Sequence, residues 1–459
     1  MIGENIASYA GFLKDYTEFR LQENRSTRIV LLNGNLTANE TSATGGVSAR
    51  VYKNGSWGFS SSPGQDIENV KAVIKAAAEN SVFLDSRLKK GKSSLPSAKG
   101  FSENDFSTKK PRRTQKELVD FAKEIDSHIS QSYKNLKSRT VVVSTLDMEK
   151  ALLTSDGARS NSMTPRSIVM VSLSAEKDGA PVDLYQVFGA RGQFEDVFDQ
   201  PADLFPKIAD LYGHLMKKAE GVFPDSGNKE CILDAELAGI LAHEAIGHTT
   251  EADLVLGGSV AGNLMNQIVS SPLVTLVDFA NTALGKACPV PVYIDDEGTK
   301  AEDAVVIDKG VLKTFMHNKE SADHFKVRPT GNARAYQFSD EPLIRMRNTA
   351  IIPGKDKLED MIASVKDGYY LMKCSNGQAD STSEFMFGVP LGYEIKNGKL
   401  GRALKDTTIA GVAFDVLKTV TMISDDMVWL CGGMCGKKQM IPVGMGGPAI
   451  KCRVTIGGK

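Results

Sequence analysis

The order of its segments predicts an α+β protein, with helices packed on mixed sheets in the first half and a largely β second half. Three observations carry this. Two Asn-Gly pairs, at 33–34 and 54–55, separate β-rich runs near the amino terminus. Amphipathic helical stretches alternate with strand runs up to about residue 222. Beyond residue 230, one motif helix is followed almost entirely by strand runs and Gly-rich turns.

Residues 4–20 read as a first helix. The run "EFRLQENRSTRIVLLNGNLTANETSATGGVSARVYKNGSWGFSSS" reads as a series of strands joined by Asn-Gly hairpin turns. "DIENVKAVIKAAAENSVFL" has helical periodicity, with Val70, Val73, Ile74 and Ala77 on one face. Residues 87–113 turn basic and rich in Ser, Pro and Gly, as a solvated linker or flap does. "TQKELVDFAKEIDSHISQSY" is an amphipathic helix, two strand runs broken by Asp-Gly turns follow, and "DLFPKIADLYGHLMKKAEGV" closes the region as a helix. The expected division is an αβ domain at 1–86, the linker at 87–113, a central αβ region at 114–222 and a β-rich domain at 223–459.

A chain of 459 residues has room for two to three domains, and 41% hydrophobic with 24% charged residues is an ordinary globular composition. Fifty-five basic residues balance fifty-six acidic ones, so charge gives no argument for nucleic acid or an anionic membrane. The start carries acids where a signal peptide needs bases, and no run approaches the roughly 18 apolar residues of a membrane span. A cytoplasmic location is expected. Six cysteines in so long a chain are not a disulfide framework.

"CILDAELAGILAHEAIGH" places Leu233, Leu237, Ile240 and Leu241 on one buried helical face, with His243, Glu244 and His248 near its end. The spacing is H-E-x-x-x-H, one residue longer than the metalloprotease pattern H-E-x-x-H. In a regular α-helix positions i and i+5 lie about 140° apart, so the imidazoles would not converge. Gly247, directly before His248, offers a point where the helix can end and the chain turn. A single π-type turn would also swing the rings together. Alone, the pattern is also what an alanine-rich helix produces by chance. A third ligand decides, and Glu251, Asp253 and the distant Cys435 are the candidates.

"GGMCGKK" fails as a phosphate loop because its glycines are too close and Lys438 replaces the needed hydroxyl. It reads as a tight turn with an exposed cysteine or a hairpin with a buried one, and composition favours the hairpin. Asp295, Asp296 and Glu297 either bind a hard cation, orient a histidine, or cap backbone amides at a strand end. Arg334, Arg345 and Arg347 beside apolar strand residues suggest surface ion pairs, or a hold on a peptide carboxylate. His128, His214, His317 and His324 have no local partners.

Taken in order, "LAHEAIGHTTEADLV", "YIDDEGT", "PTGNARA", "RMRNTAIIPG", "IKNGKL", "MCGKKQMIPVGMGGP" and "VTIGG" resemble the TldD/PmbA family of metallopeptidases, once described as modulators of DNA gyrase. The resemblance is densest from 230 to 459. It implies a peptidase with one zinc ion per chain on His243, His248 and Cys435, and Glu244 as general base. Its metal-free TldE-type branch lacks these residues, so this chain resembles the catalytic branch. It also implies a dimer around a cavity, either a homodimer or a heterodimer with a TldE-like chain, acting on short or unfolded peptides. Gly247, Asp296, Arg334, Gly433 and Gly436 complete the candidate set, as residues that meet substrate or support the ligands. Thr249, Thr250 and Lys438 depart from the family pattern. Two other readings stand beside the zinc peptidase: a non-catalytic binding subunit of the same fold, and a Cys435 nucleophile with a histidine base.

Overall fold

The computed structural model describes residues 2–91 and 95–457. It is an α+β protein, as the segment order predicts. The expected helix at 4–20 is instead a short 3-10 helix, Ile6–Phe12, after which the chain enters a long strand at Tyr16. Pairing decides this: Tyr16, Thr17 and Phe19 fall in register against Tyr52, Val51 and Ala49, and Phe19 is fully buried.

Strands β1 (Tyr16–Leu32), β2 (Asn35–Lys53) and β3 (Ser56–Ser62) form two successive hairpins. Asn33 and Gly34 have φ of 50° and 84°, and Asn54 and Gly55 of 50° and 91°, the pair of positive values a tight two-residue hairpin turn needs. Helix α1 (Ile67–Leu88) starts at Asp66, whose side chain accepts from the amides of Glu68 and Asn69. It buries Val70, Val73, Ile74 and Ala77, the face that periodicity picks out. Within the segment read as a linker, β4 (Phe101–Asp105) pairs parallel with a strand of the sheet, while residues 92–94 lie outside the described residues. Helix α2 (Gln115–Ser132) opens with a Thr114–Glu117 capping box. Strands β5 (Ser138–Thr154), β6 (Arg159–Lys177) and β7 (Ala180–Arg191) complete a seven-stranded sheet, ordered β3-β2-β1-β5-β6 with β4 and β7 both on β6. The outer side of β7 has no strand partner among the described residues. Helices α2 and α3 (Phe205–Ala219) pack on this sheet through Ile125, Ile129, Ile208 and Leu215.

The second half holds two larger sheets. In the nine-stranded one, β8 (Gly227–Leu233) lies between the parallel Asp367–Met372 and the antiparallel Ile450–Ile456. In the six-stranded one, Leu276–Phe279 and Gly444–Gly447 flank Asn348–Ile351. Leu233 therefore belongs to a strand and not to the motif helix, which begins one residue after Asp234. That helix, α4 (Ala235–Leu241), shares a core with strands of both sheets, including Leu276, Leu371 and Ile450. Gly239 allows the close approach, since a Cβ there would sit 3.0 Å from the backbone of Gly446. Among the described residues no helix is long and apolar enough to cross a membrane.

Candidate metal centre

Asp234 caps α4 by accepting from the Leu237 amide at 2.9 Å. At Ala242 the α-helix opens into a π turn, Ala242–Gly247, in which the His248 amide donates to the carbonyl of His243, five residues back. One turn of backbone then separates the two histidines, and their ring centroids come within 5.3 Å. Of the two remedies legible in the sequence, the widened turn is the one used. Gly247 keeps ordinary helical angles, φ −56° and ψ −55°, so it does not end the helix by backbone freedom. It is small because a Cβ there would lie 2.0 Å from Met346 Sδ. Thr249 and Thr250, two of the three departures from the family pattern, also have a local reason. Thr249 Oγ1 donates to Ile246 O at 2.9 Å, and Thr250 Oγ1 to Ile246 O at 2.9 Å and Gly247 O at 3.0 Å, which occupies carbonyls near the end of the turn.

Cys435 comes from a hairpin of Met434–Cys435 on Ile441–Pro442 and is buried, as the hairpin reading expects. Its Sγ lies 3.3 Å from His248 Nε2. The donor atoms of His243, His248 and Cys435 all lie within 4.8 Å of one another, a spacing that suits one small ion. His243 is fully buried, and neither ring nitrogen meets a partner at hydrogen-bond geometry among the described residues. A buried imidazole left without partners in protein is costly, and two nitrogens and a sulfur are a fitting donor set for zinc. Burial opposes charge on His248, but Glu251 and the Cys435 sulfur outweigh it and raise the imidazole to about 10. Burial also opposes the thiolate, yet the two imidazoles beside it pull Cys435 down to about 4.

Neither Glu251 nor Asp253 joins this cluster. Glu251 Oε2 instead lies 2.8 Å from the far nitrogen of His248, Nδ1, and Lys437 Nζ bonds Asp253 at 2.8 Å. Glu244 is partly exposed, 3.7 Å from His248 Nε2. It lines a cavity of about 350 Å³ whose walls include Val187 of β7, Ile240, Phe387, Trp429 and Gly433.

The arginines depart from the surface pairs expected of them. Arg345 and Arg347 are fully buried. Arg347 pairs with Asp278 at 2.9 Å, whereas Arg345 grips backbone: Cys435 O at 2.7 Å, Lys437 O at 2.6 Å and Gln439 O at 2.8 Å. Arg334, also buried, donates to Pro442 O at 2.8 Å and to Met346 O. Arg166 of β6 donates to Gly433 O at 2.9 Å and Cys431 O at 3.2 Å. Three cations thus fix the cysteine hairpin through its carbonyls. Arg166 carries no sequence signal, because a single arginine in a strand run looks like a solvent-facing residue. Asp296 lies outside the His-Cys cluster, accepting from Lys150 Nζ and the Ala335 amide, both at 2.7 Å. Asp295 accepts from the amides of Glu297, Thr299 and Ala333, so it caps backbone. Gly433 is pressed against backbone, with a Cβ position 2.9 Å from Val443 O, while at Gly436 a Cβ would meet only Met440 Sδ at 3.5 Å. Lys438 takes the left-handed conformation, φ 56°, that a glycine or aspartate turn favours.

Residues 226–458 match the family profile of the PmbA/TldA metallopeptidase C-terminal domain, and 17–81 that of PmbA/TldA metallopeptidase domain 1. The chain is 31% identical to Metalloprotease MJ0996 of Methanocaldococcus jannaschii over 96% of its own length and 97% of that protein. It is 28% identical to the zinc metalloprotease TldD homolog of Saccharolobus solfataricus, with 90% of each chain covered. Two crystal structures share the fold. A Thermotoga maritima protein named for DNA gyrase modulation gives a TM-score of 0.76 at 20% identity, covering 96% of both chains. TldE from Thermococcus kodakarensis gives 0.73 at 18%, covering 100% of both.

Proposed function

The chain belongs to the TldD/PmbA family of metallopeptidases, and from that premise we propose that it hydrolyses short or unfolded peptides at one zinc ion on His243, His248 and Cys435, with Glu244 as general base. The observation that carries this reading is His243, buried with both ring nitrogens unpartnered beside His248 and Cys435. Bound zinc supplies Lewis acidity, which polarises a carbonyl and brings the pKa of water toward about 7. Glu244 follows His243 in the π turn and faces the cavity, where it takes a proton from the attacking water and returns it to the leaving amine. The edge of β7, which has no strand partner among the described residues, and the close-packed backbone at Gly433 favour a peptide lying extended, held through its main chain. The partner is a second copy or a TldE-like chain. A net charge of -1 gives no electrostatic argument for nucleic acid as a partner.

A second reading draws on the 3.3 Å contact of Cys435 with His248, which resembles a thiolate–imidazolium nucleophile. Cys435 is only 1% exposed, which favours a ligand over a group that must reach a carbonyl. Zinc content and peptide hydrolysis of purified variants decide between them. Near one zinc per chain in wild type, lost in His243→Ala and Cys435→Ala, is expected. Glu244→Gln should keep its zinc while kcat falls roughly 10²- to 10⁴-fold. Activity that survives chelation but not thiol alkylation would establish the nucleophile. No zinc in the wild type after reconstitution would leave a binding subunit.

A further inference from the structure

We propose that Glu251 and Lys437 form a positioning dyad for the imidazole of His248, resting on the reading of His248 as a zinc ligand. One ring nitrogen of His248, Nε2, faces Cys435, and the other, Nδ1, lies 2.8 Å from Glu251 Oε2. A carboxylate at Nδ1 fixes the tautomer, with the proton on Nδ1 and the lone pair on Nε2, and it fixes the plane of the ring. Glu251 is fully buried, where a lone carboxylate would be expensive. Lys437 supplies the countercharge at 3.1 Å. Its ammonium is itself held by Asp253 Oδ1 at 2.8 Å and the Ile344 carbonyl at 3.0 Å.

The dyad joins the two segments that carry the ligands. Glu251 sits three residues after His248 on the motif segment, and Lys437 two residues after Cys435 on the hairpin. The ion pair therefore locks the distance between histidine and cysteine as well as the ring orientation. Arg345 donates to the Lys437 carbonyl at 2.6 Å, which fixes the backbone from which the lysine side chain reaches Glu251. Glu251 also bridges to Met316 through its backbone, which fixes the carboxylate's own origin.

Zinc affinity of the full chain, measured by competition with a chromophoric chelator, tests this without reference to turnover. Glu251→Gln should weaken zinc roughly 10- to 100-fold. Lys437→Met should weaken it less, and Lys437→Arg should restore most of the loss because it keeps the charge. The double variant Glu251→Gln/Lys437→Met should be no weaker than Glu251→Gln alone, since the lysine acts through the carboxylate. Cobalt-substituted Glu251→Gln should show shifted visible bands if the ring has turned. Wild-type affinity in Glu251→Gln, or a double variant whose loss is the product of the two single losses, would overturn the dyad. A melting curve of each metal-free variant separates lost folding from lost affinity. If Glu251→Gln does not fold, the Lys437→Met and Lys437→Arg pair carries the test: equal affinities in the two would overturn it. A wild type without zinc overturns the metal reading first, and the dyad with it.

Discussion

A Cβ built on Gly247 falls 2.0 Å from Met346 Sδ and 3.4 Å from Ala242 O, so the space between the π turn and the 346 segment holds a hydrogen and nothing larger. Met346 is fully buried, and its carbonyl is the one Arg334 grips, which leaves its backbone little room to retreat. Gly247→Ala must therefore move the thioether or push the turn outward. Its expected effect is a loss of about 1–3 kcal/mol in denaturant unfolding, the usual scale of an overpacked core. The double variant Gly247→Ala/Met346→Ala should be more stable than the two single losses added together predict, because each substitution makes room for the other. Strict additivity would show that the methionine is not what the glycine makes room for. The same two residues explain part of what the sequence leaves hidden. Gly247 before His248 looks like a helix stop, because a glycine selected for its backbone and one selected for its size are written with the same letter.

The π turn is an α-helix with one residue too many, and that inserted residue brings the histidines of H-E-x-x-x-H to one face, as the shorter spacing of H-E-x-x-H does in a regular helix. Five residues per i→i+5 bond and four per i→i+4 bond each close one turn, so both place the flanking histidines on one face. Deletion of Ala245 should then return the segment to α geometry and keep zinc near the wild-type content. Insertion of an alanine at the same point should abolish binding, since neither turn spans six residues. Metal analysis of the two purified variants checks this, and loss of zinc in both would mean that the turn's shape, not the histidine spacing, sets the site. The rule that the site needs a local widening was legible in the spacing of His243 and His248. Cys435 was legible only as the distant one of three candidate ligands, for it meets His248 across 187 residues, and spacing carries no information over such a gap; the family resemblance is what singled it out. The hairpins at Asn33-Gly34 and Asn54-Gly55 and the face of α1 were legible because a turn type and a helical period are local properties. Residues 4–20 failed for the opposite reason. Their apolar spacing fits a helix or a strand, and pairing of β1 with β2 over its whole length chose the strand.

The two halves of the molecule share an apolar cluster, in which Ile208 and Leu215 sit with Ile232, Leu391 and Ile395, and they also meet across a joint that is polar and charged. On β1, Glu18, Arg20, Gln22 and Asn24 are all buried, and Arg20 and Asn24 reach the carbonyls of residues 336–340 in the second half. Arg50 of β2 sits between Glu18 at 2.8 Å and Glu297. Lys319, fully buried, contacts Tyr16 and lies 3.5 Å from Asp156. Two carboxylates thus share one guanidinium, and burial pushes Glu18 up to about 7, beyond what Arg50 and Lys319 draw back, with Glu297 adding to the rise. A carboxyl raised in the folded state binds its proton more tightly there than in the unfolded chain. Its contribution to stability is complete below the ordinary glutamate range and is lost as pH rises through about 7. At about 1.4 kcal/mol per unit, unfolding free energy should fall by about 3 kcal/mol between pH 4.5 and 8 on this group's account. Asp234, which burial likewise lifts to about 7, adds slope of the same sign, so the comparison with Glu18→Gln isolates the joint. Urea unfolding across that range should give a steeper decline for wild type than for Glu18→Gln. Parallel curves would place the titration elsewhere.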